Sequence, residues 1–190
     1  MKTSIKILSI ILAVFLVTSG CGILSNINAR TITPSDVIIS ETRDVSSFNA
    51  VSMGSVGKVL LSQGNTESLT ITGSDNLVPL IKTNVSNHTL NIDTDENIIV
   101  TGFNTENMLT FTIVVKDLSA LTVSGLGDVQ MATLSTPSLD LTMSGAGKVQ
   151  LNQLTADTLM VTVSGLGSVD IAGGVSQATI DIPGAGTVNV

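Results

Sequence analysis

The stretch "SGLGDV" at residues 124–129 recurs three times in the C-terminal half of the chain. It returns as "SGAGKV" at 144–149, as "SGLGSV" at 164–169 and as "PGAGTV" at 183–188, in steps of 20, 20 and 19 residues. A fixed period of this length is typical of proteins built from stacked structural repeats. The stretch therefore predicts a repetitive architecture rather than scattered flexible loops.

Apolar residues keep the same phase in every repeat, and Thr, Ser, Gln, Asn or Asp dominate the positions between them. The apolar columns are Leu121, Leu141, Val161 and Ile180; Val123, Met143, Val163 and Ile182; Val129, Val149, Val169 and Val188; Met131, Leu151, Ile171 and Val190. Alternation with a period of two indicates half-buried β-strands. Strands that repeat in phase predict a parallel β-solenoid with about 20 residues per coil in this half.

An antiparallel sandwich or meander is the rival architecture, because it also alternates apolar and polar residues. It needs hairpin turns, and Asn-Gly or Asp-Gly pairs are missing from the repeats. The N-terminal half is expected to be less regular, because "SMGSVGKVLL" at 52–61 is an imperfect copy with Ser55 in place of the first glycine. At most one helical turn is expected at 75–85, where Pro79 limits a helix.

The glycines of the repeats are predicted to form corners between strands, where a Cβ atom would clash. These structural glycines are Gly57, Gly125, Gly127, Gly145, Gly147, Gly165, Gly167, Gly184 and Gly186. A nucleotide-binding role is rejected, because the Gly-x-Gly segments run into strands rather than helices. A calcium-binding role is rejected too, because the positions equivalent to Asp128 are Lys148, Ser168 and Thr187.

The N-terminus has the pattern of an export signal. Lys2 and Lys6 precede a run of 11 residues, Ile7 to Val17, which is apolar except for Ser9 and is too short to span a bilayer. "TSGC" at 18–21 resembles the lipobox of bacterial lipoproteins, which predicts lipid attachment at Cys21; an ordinary signal peptide cleaved near an incidental cysteine is the alternative. We expect a signal peptide at 1–20, a lipidated Cys21 with a flexible tether at 21–44, and one domain at 45–190. Gly22 in place of an Asp after Cys21 favours the outer membrane, if the host has one.

The segment 48–93, "FNAVSMGSVGKVLLSQGNTESLTITGSDNLVPLIKTNVSNHTLNID", together with the recurring "SGxGxV", resembles a known family. The Phe-x-x-Val opening, Gln63-Gly64, Asn76-Leu77 and the Gly-x-Gly repeats occur in the order found in the head GIN domain of putative auto-transporter adhesins. The resemblance covers about residues 48–190. It implies a right-handed parallel β-helix, on a lipoprotein or another exported protein, and it supplies no catalytic or binding residue.

Composition excludes several partner classes. The net charge is −7 and only 2% of residues are aromatic, so the chain has neither the basic surface nor the stacking rings of a nucleic-acid-binding protein. With no Trp or Tyr, a sugar site would depend on hydrogen bonds. One His and one Cys cannot form a Cys/His zinc site. We expect no metal, no cofactor and no nucleic-acid partner.

Catalytic groups are sparse. Asp93, Asp95 and Glu96 could form the paired carboxylates of a polysaccharide-active enzyme, but such a run is more often a solvated turn. His88 is most simply an exposed loop residue. Asp128 and Lys148 are predicted to form a surface ion pair.

The sequence therefore predicts a non-enzymatic protein anchored in the cell envelope by its lipid, which displays a binding or adhesion module outside the cytoplasm. Its expected partner is an envelope protein or a surface glycan, and self-association through free strand edges is a further expectation. A structural component of the envelope is the alternative function, and a polysaccharide-active enzyme is a less favoured one.

Overall fold

The structure, a computed structural model, describes residues 30–95, 97–102 and 108–190. The chain divides into two units, Met1–Arg30 and Thr31–Val190. The predicted signal peptide and Cys21 lie outside the described residues, and so does Glu96. None of the helical structure in the described ranges has the length and apolar character that crossing a bilayer requires.

The described part of the chain is all-β, with a single 3₁₀ turn at Val78–Leu80. The N-terminal strands are β1 (Arg30–Ile32), β2 (Ile38–Arg43), β3 (Ala50–Met53), β4 (Gly57–Gln63), β5 (Ser68–Ser74), β6 (Ile81–Ser86), β7 (Thr89–Thr94) and β8 (Ile98–Val100). The C-terminal strands are β9 (Thr110–Val115), β10 (Ala120–Val123), β11 (Leu126–Met131), β12 (Leu134–Met143), β13 (Ala146–Val163), β14 (Ser168–Asp181) and β15 (Thr187–Asn189). The 3₁₀ turn contains Pro79 and agrees with the single helical turn expected there.

The predicted apolar columns are present in the C-terminal half. Leu121 pairs with Leu141, Leu141 with Val161, and Val161 with Ile180, all in parallel strands. A second parallel stack aligns Val59, Val129, Val149, Val169 and Val188. The two stacks meet in β13 and β14, whose first residues belong to one stack and whose last residues belong to the other.

The predicted right-handed parallel β-helix is nevertheless wrong. Thirteen strands form one mixed sheet, in the order β2-β5-β9-β4-β11-β13-β12-β10-β3-β7-β6 with β14 and β15 joined beside β13. The pairs β2–β5, β5–β9 and β6–β7 are antiparallel. The sheet is a nearly closed barrel with both kinds of pairing, and not a solenoid of parallel coils.

A hairpin without glycine explains part of this error. Asn87 and His88 connect β6 to β7, and both have positive φ, 50° and 62°. A two-residue hairpin turn of this kind needs positive φ at both positions and usually carries Asn-Gly; Asn and His are among the residues that tolerate that region. The sequence therefore hides this turn from a search for Asn-Gly or Asp-Gly.

The core draws on both stacks and on the antiparallel strands, and it consists mainly of Val, Leu, Ile and Met. Phe111 is fully buried and Phe48 nearly so. Ile180, Ile182 and Val190, which the column pattern places inside, are 45%, 41% and 58% exposed. Val175 to Asp181 of β14 pair with β13 on one side, and no described strand pairs with them on the other side. The side chains at this end of the described sheet therefore face solvent.

Part of the predicted tether is in strands. Ile38–Arg43 forms β2 and pairs with Leu69–Ser74 of β5 along its whole length. The Ser35 backbone N–H also donates to the Asn76 side-chain carbonyl at 3.1 Å. These polar contacts join the segment to the domain, although it lacks a sustained apolar pattern of its own.

Candidate functional site

One polar feature of the described surface is a pair of adjacent rows that run across eight strands. The rows form because residues in register on neighbouring strands point to the same side of the sheet. The first row is Ser40, Thr72, Thr110, Lys58, Asp128, Lys148, Ser168 and Thr187. The second is Thr42, Thr70, Thr112, Leu60, Gln130, Gln150, Asp170 and Asn189. We call these two rows the polar face; all members except Leu60 are polar, and all are at least partly exposed.

One lysine of the polar face contacts both of its aspartates. The Lys148 ammonium lies 2.7 Å from the Asp170 carboxylate, and the Lys148 backbone N–H donates to Asp128 at 3.0 Å. The Lys148 side chain beside Asp170 holds the pKa of that carboxyl below its usual range. The predicted Asp128–Lys148 ion pair is thus wrong: the ammonium pairs with Asp170 of the next repeat, and Asp128 accepts only the Lys148 backbone N–H.

Side chains also bond to one another along the rows. The hydroxyl groups of Ser40 and Thr72 lie 3.0 Å apart, and those of Thr42 and Thr70 lie 3.3 Å apart. Two adjoining open grooves of about 380 and 410 Å³ follow the second row and share Gln150 and Asn152 in their walls. The walls of the grooves combine apolar residues with the amide groups of Gln130, Gln150, Asn152 and Asn189, which can donate and accept hydrogen bonds at once.

The polar face suits a ligand that is uncharged and rich in hydroxyl groups. It holds two lysines and two aspartates, so its formal charge balances. Among the phenylalanines that the structure describes, Phe48 and Phe111 are both buried, which leaves no aromatic platform for stacking in that part of the chain. The remaining chemistry is hydrogen bonding by hydroxyl and amide groups held on a rigid sheet.

The candidate catalytic residues do not assemble into a reactive centre within the described ranges. Asp95 forms an ion pair with Lys82 of β6, and Asp93 of β7 lies in register with the same lysine. His88 occupies the hairpin turn, and its carbonyl oxygen accepts hydrogen bonds from Asn49 and Ala50. No group of three or more His, Cys, Asp or Glu side chains that could hold a metal occurs among the described residues.

The predicted corner glycines lie where backbone segments approach closely. A Cβ atom at Gly125, Gly145, Gly165 or Gly184 would collide with backbone atoms of the preceding repeat. A Cβ at Gly127, Gly147 or Gly186 would meet the carbonyl oxygen of the glycine one repeat earlier, and one at Gly167 would meet the Met143 sulfur. Gly147 also has φ +137°, a conformation that other residues rarely adopt. Gly57 packs against Leu109 and Phe111.

Two polar residues that join distant segments were missed by the sequence reasoning. The Gln63 amide nitrogen donates to the carbonyl oxygens of Lys116 and Ser135, and its amide oxygen accepts from the Ser135 N–H at 3.0 Å. Glu67 accepts a hydrogen bond from the Ser47 N–H at 2.9 Å and lies 3.5 Å from the Lys116 ammonium. Their partners are up to 72 residues away, so no local pattern marks them.

Residues 47–190 match the family model described as "Putative auto-transporter adhesin, head GIN domain". The chain belongs to this family. The resemblance read from the motifs at 48–93 and the Gly-x-Gly repeats is thereby confirmed, and the head GIN domain includes both stacks of the sheet. No curated protein matches the chain at a significant level.

Solved structures with low sequence identity share this fold. A putative adhesin from Parabacteroides distasonis ATCC 8503 is 19% identical with a TM-score of 0.65, over 85% of this chain and 76% of that one. A putative lipid binding protein from the same strain is 15% identical with a TM-score of 0.67, over the same shares of the two chains. A putative adhesin from Parabacteroides merdae ATCC 43184 is 17% identical with a TM-score of 0.59, over 84% of this chain and 83% of that one. At these identities the likeness concerns the fold of the head GIN domain.

Proposed function

We propose that this head GIN domain is a non-enzymatic adhesion module that uses the polar face to bind an uncharged, hydroxyl-rich surface such as a neutral glycan. Its place is outside the cytoplasm, since membership in an adhesin family implies a surface or extracellular location. The observation that carries the proposal is the polar face itself, in which 15 of 16 aligned positions are polar across eight strands.

Repetition supports adhesion because many weak contacts add up. Each exposed hydroxyl or amide contributes on the order of 1 kcal/mol or less to a hydrogen-bonded contact with a ligand. A row of such groups on adjacent strands, about 4.8 Å apart, can engage several units of an extended ligand at once. A rigid sheet also avoids the entropy cost of ordering a binding loop.

The balanced formal charge of the polar face supports an uncharged ligand. Lys148 and Asp170 are already paired, and Lys58 lies in register with Asp128, so a phosphate or a carboxylate would have to displace an ion pair or lie beside a carboxylate to gain a cationic partner there. A neutral sugar hydroxyl can instead donate to and accept from Gln130, Gln150 or Asn189 without that cost.

The proposal also includes lipid anchoring at Cys21 and, where the host has one, location at the outer membrane. Both rest on the sequence pattern of the first 22 residues. An anchored chain would present the head GIN domain away from the bilayer, where an adhesive face can meet its target.

An array that holds neutral, sialylated and uronate-containing glycans, read beside a whole-cell adhesion assay, tests the proposal. Gln150→Arg places a bulky cation in the grooves, while Thr158→Arg puts the same residue on an exposed position of the same strand, β13, in the other stack. We expect wild type and Thr158→Arg to bind neutral glycans and cells, and Gln150→Arg to lose both. Equal binding by the two variants, or a preference for charged glycans, would contradict the role of the polar face.

A further inference from the structure

A separate cavity lies inside the N-terminal half of the domain, close to the 3₁₀ turn. Its volume is about 220 Å³, and it lies between the β3–β4 connection, the 3₁₀ turn, the ends of β6 and β7, and β8. None of its lining residues belongs to the polar face. It is therefore independent of the surface to which we assign adhesion.

The cavity has a buried base and an accessible rim. Leu77, Ile81 and Leu109, at the base, are only 2 to 3% exposed. Ile98 and Val100 of β8, at the rim, are half-buried. This gradient from buried to partly exposed walls is that of a pocket with an entrance rather than of a sealed packing void.

Two hydroxyl groups line this apolar space. Ser55 is 1% exposed, and its hydroxyl lies 2.8 Å from the Thr94 hydroxyl. When one hydroxyl donates to the other, the accepting hydroxyl keeps its own hydrogen free to donate. The pair thus offers one hydrogen-bond donor to a ligand in the cavity.

The walls disfavour a charged ligand. The described lining residues carry no ionisable side chain, so a buried carboxylate would lack a cationic partner there and would be costly. The Asp93 carboxylate packs against Gly54 in the lining and would repel an anion further.

We propose that this cavity binds a small neutral molecule with an apolar body and one hydrogen-bond acceptor, such as a medium-chain ketone or ester. An apolar cavity of about 150 Å³ holds one benzene molecule, so this one accommodates about six to ten carbon atoms. The acceptor oxygen of the ligand receives the hydrogen bond from the Ser55–Thr94 pair, and its carbon chain packs against Leu77, Ile81 and Leu109.

Calorimetric titration of the domain with 2-octanone, octane and octanoate tests this assignment. We expect 2-octanone to bind, octane to bind more weakly and octanoate not to bind. The double variant Ser55→Ala/Thr94→Val removes both hydroxyls, because either one left alone could still donate to the ligand, and it should weaken 2-octanone binding about fivefold, the value of one hydrogen bond of about 1 kcal/mol. Octane binding should stay unchanged in the same variant.

Two substitutions on β8 provide a matched pair. Val100→Phe fills the cavity, whereas Ile99→Phe adds the same ring at a neighbouring position that is 52% exposed and does not line it. We expect Val100→Phe to abolish 2-octanone binding and Ile99→Phe to retain it. Independently of any variant, nuclear Overhauser effects should join 2-octanone to the methyl groups of Leu77 and Leu109. Absence of binding, equal binding by the two Phe variants, or effects to other methyl groups only would overturn the proposal.

Discussion

Substitution of Gly145 by Ala tests whether close backbone approach holds the repeats together. A Cβ atom on Gly145 would lie well inside contact distance of the Gly125 carbonyl oxygen and 2.7 Å from the Ser124 carbonyl oxygen. These are backbone atoms, so the conflict is relieved only if one repeat moves away from the other.

Such a movement disturbs three hydrogen bonds between the repeats. The N–H groups of Ser144 and Gly145 donate to the Val123 carbonyl oxygen at 2.9 and 3.2 Å, and that of Ala146 donates to the Gly125 carbonyl oxygen at 3.2 Å. At about 1 kcal/mol for each bond, the variant should lose about 3 kcal/mol of unfolding free energy. In a domain of this size that corresponds to a fall in Tm of about 6 to 12 °C.

Gly174→Ala is the matched control. A Cβ atom at Gly174 meets no heavy atom within 4 Å, so its effect should stay within about 0.5 kcal/mol. Urea unfolding followed by circular dichroism, with Tm from calorimetry, measures both variants. If Gly145→Ala is as stable as Gly174→Ala, the close approach of the repeats is not what requires glycine at this corner.

Three further predictions concern single side chains. Gln63→Ala should lower the unfolding free energy by about 1 to 3 kcal/mol, because three hydrogen bonds between distant segments are lost; urea titration would contradict this if the midpoint did not move. The Ser47 N–H and then Lys116 lower the pKa of Glu67 below its ordinary value of 4.5, so the stability that its carboxylate contributes is complete above about pH 4.5 and is lost as the pH falls through the lowered pKa. Glu67→Gln should therefore be less stable than wild type at pH 7, and the difference should shrink below pH 4.5; a difference independent of pH would argue against this role. Cys21→Ser should move the exported protein from the detergent phase to the aqueous phase in Triton X-114 partitioning, and unchanged partitioning would refute lipid attachment at that residue.

The register of the parallel strands was predictable because the residues within each repeat specify it. Each repeat carries its own alternation of apolar and polar residues, and the constant step aligns Leu121 with Leu141 and Val161. A shift by one residue would turn the apolar side chains to the solvent, so the pattern permits one register only.

The antiparallel strands were not predictable from the same signals. β5 is antiparallel to both β2 and β9, and nothing in the alternation of Ser68–Ser74 distinguishes an antiparallel neighbour from a parallel one. The β6–β7 hairpin turns on Asn87 and His88, which do not form a glycine-containing turn signature. The polar face likewise forms only when the sheet assembles, because its rows bring together residues from segments as far apart in the sequence as Ser40 and Thr187.

The sequence by itself determined the all-β class, the register of the repeats and the family. It also predicted that the glycines lie at close-packed corners. These features depend on residues within one repeat or on motifs along the chain. Only the tertiary structure decided the mixed pairing of the sheet, the polar face and the cavity beside Ser55. Each of these depends on which strand edges and side chains meet across long sequence separations. Strand edges pair through backbone N–H and C=O groups, and because nearly every residue carries the same two groups, the sequence does not show which edges will pair.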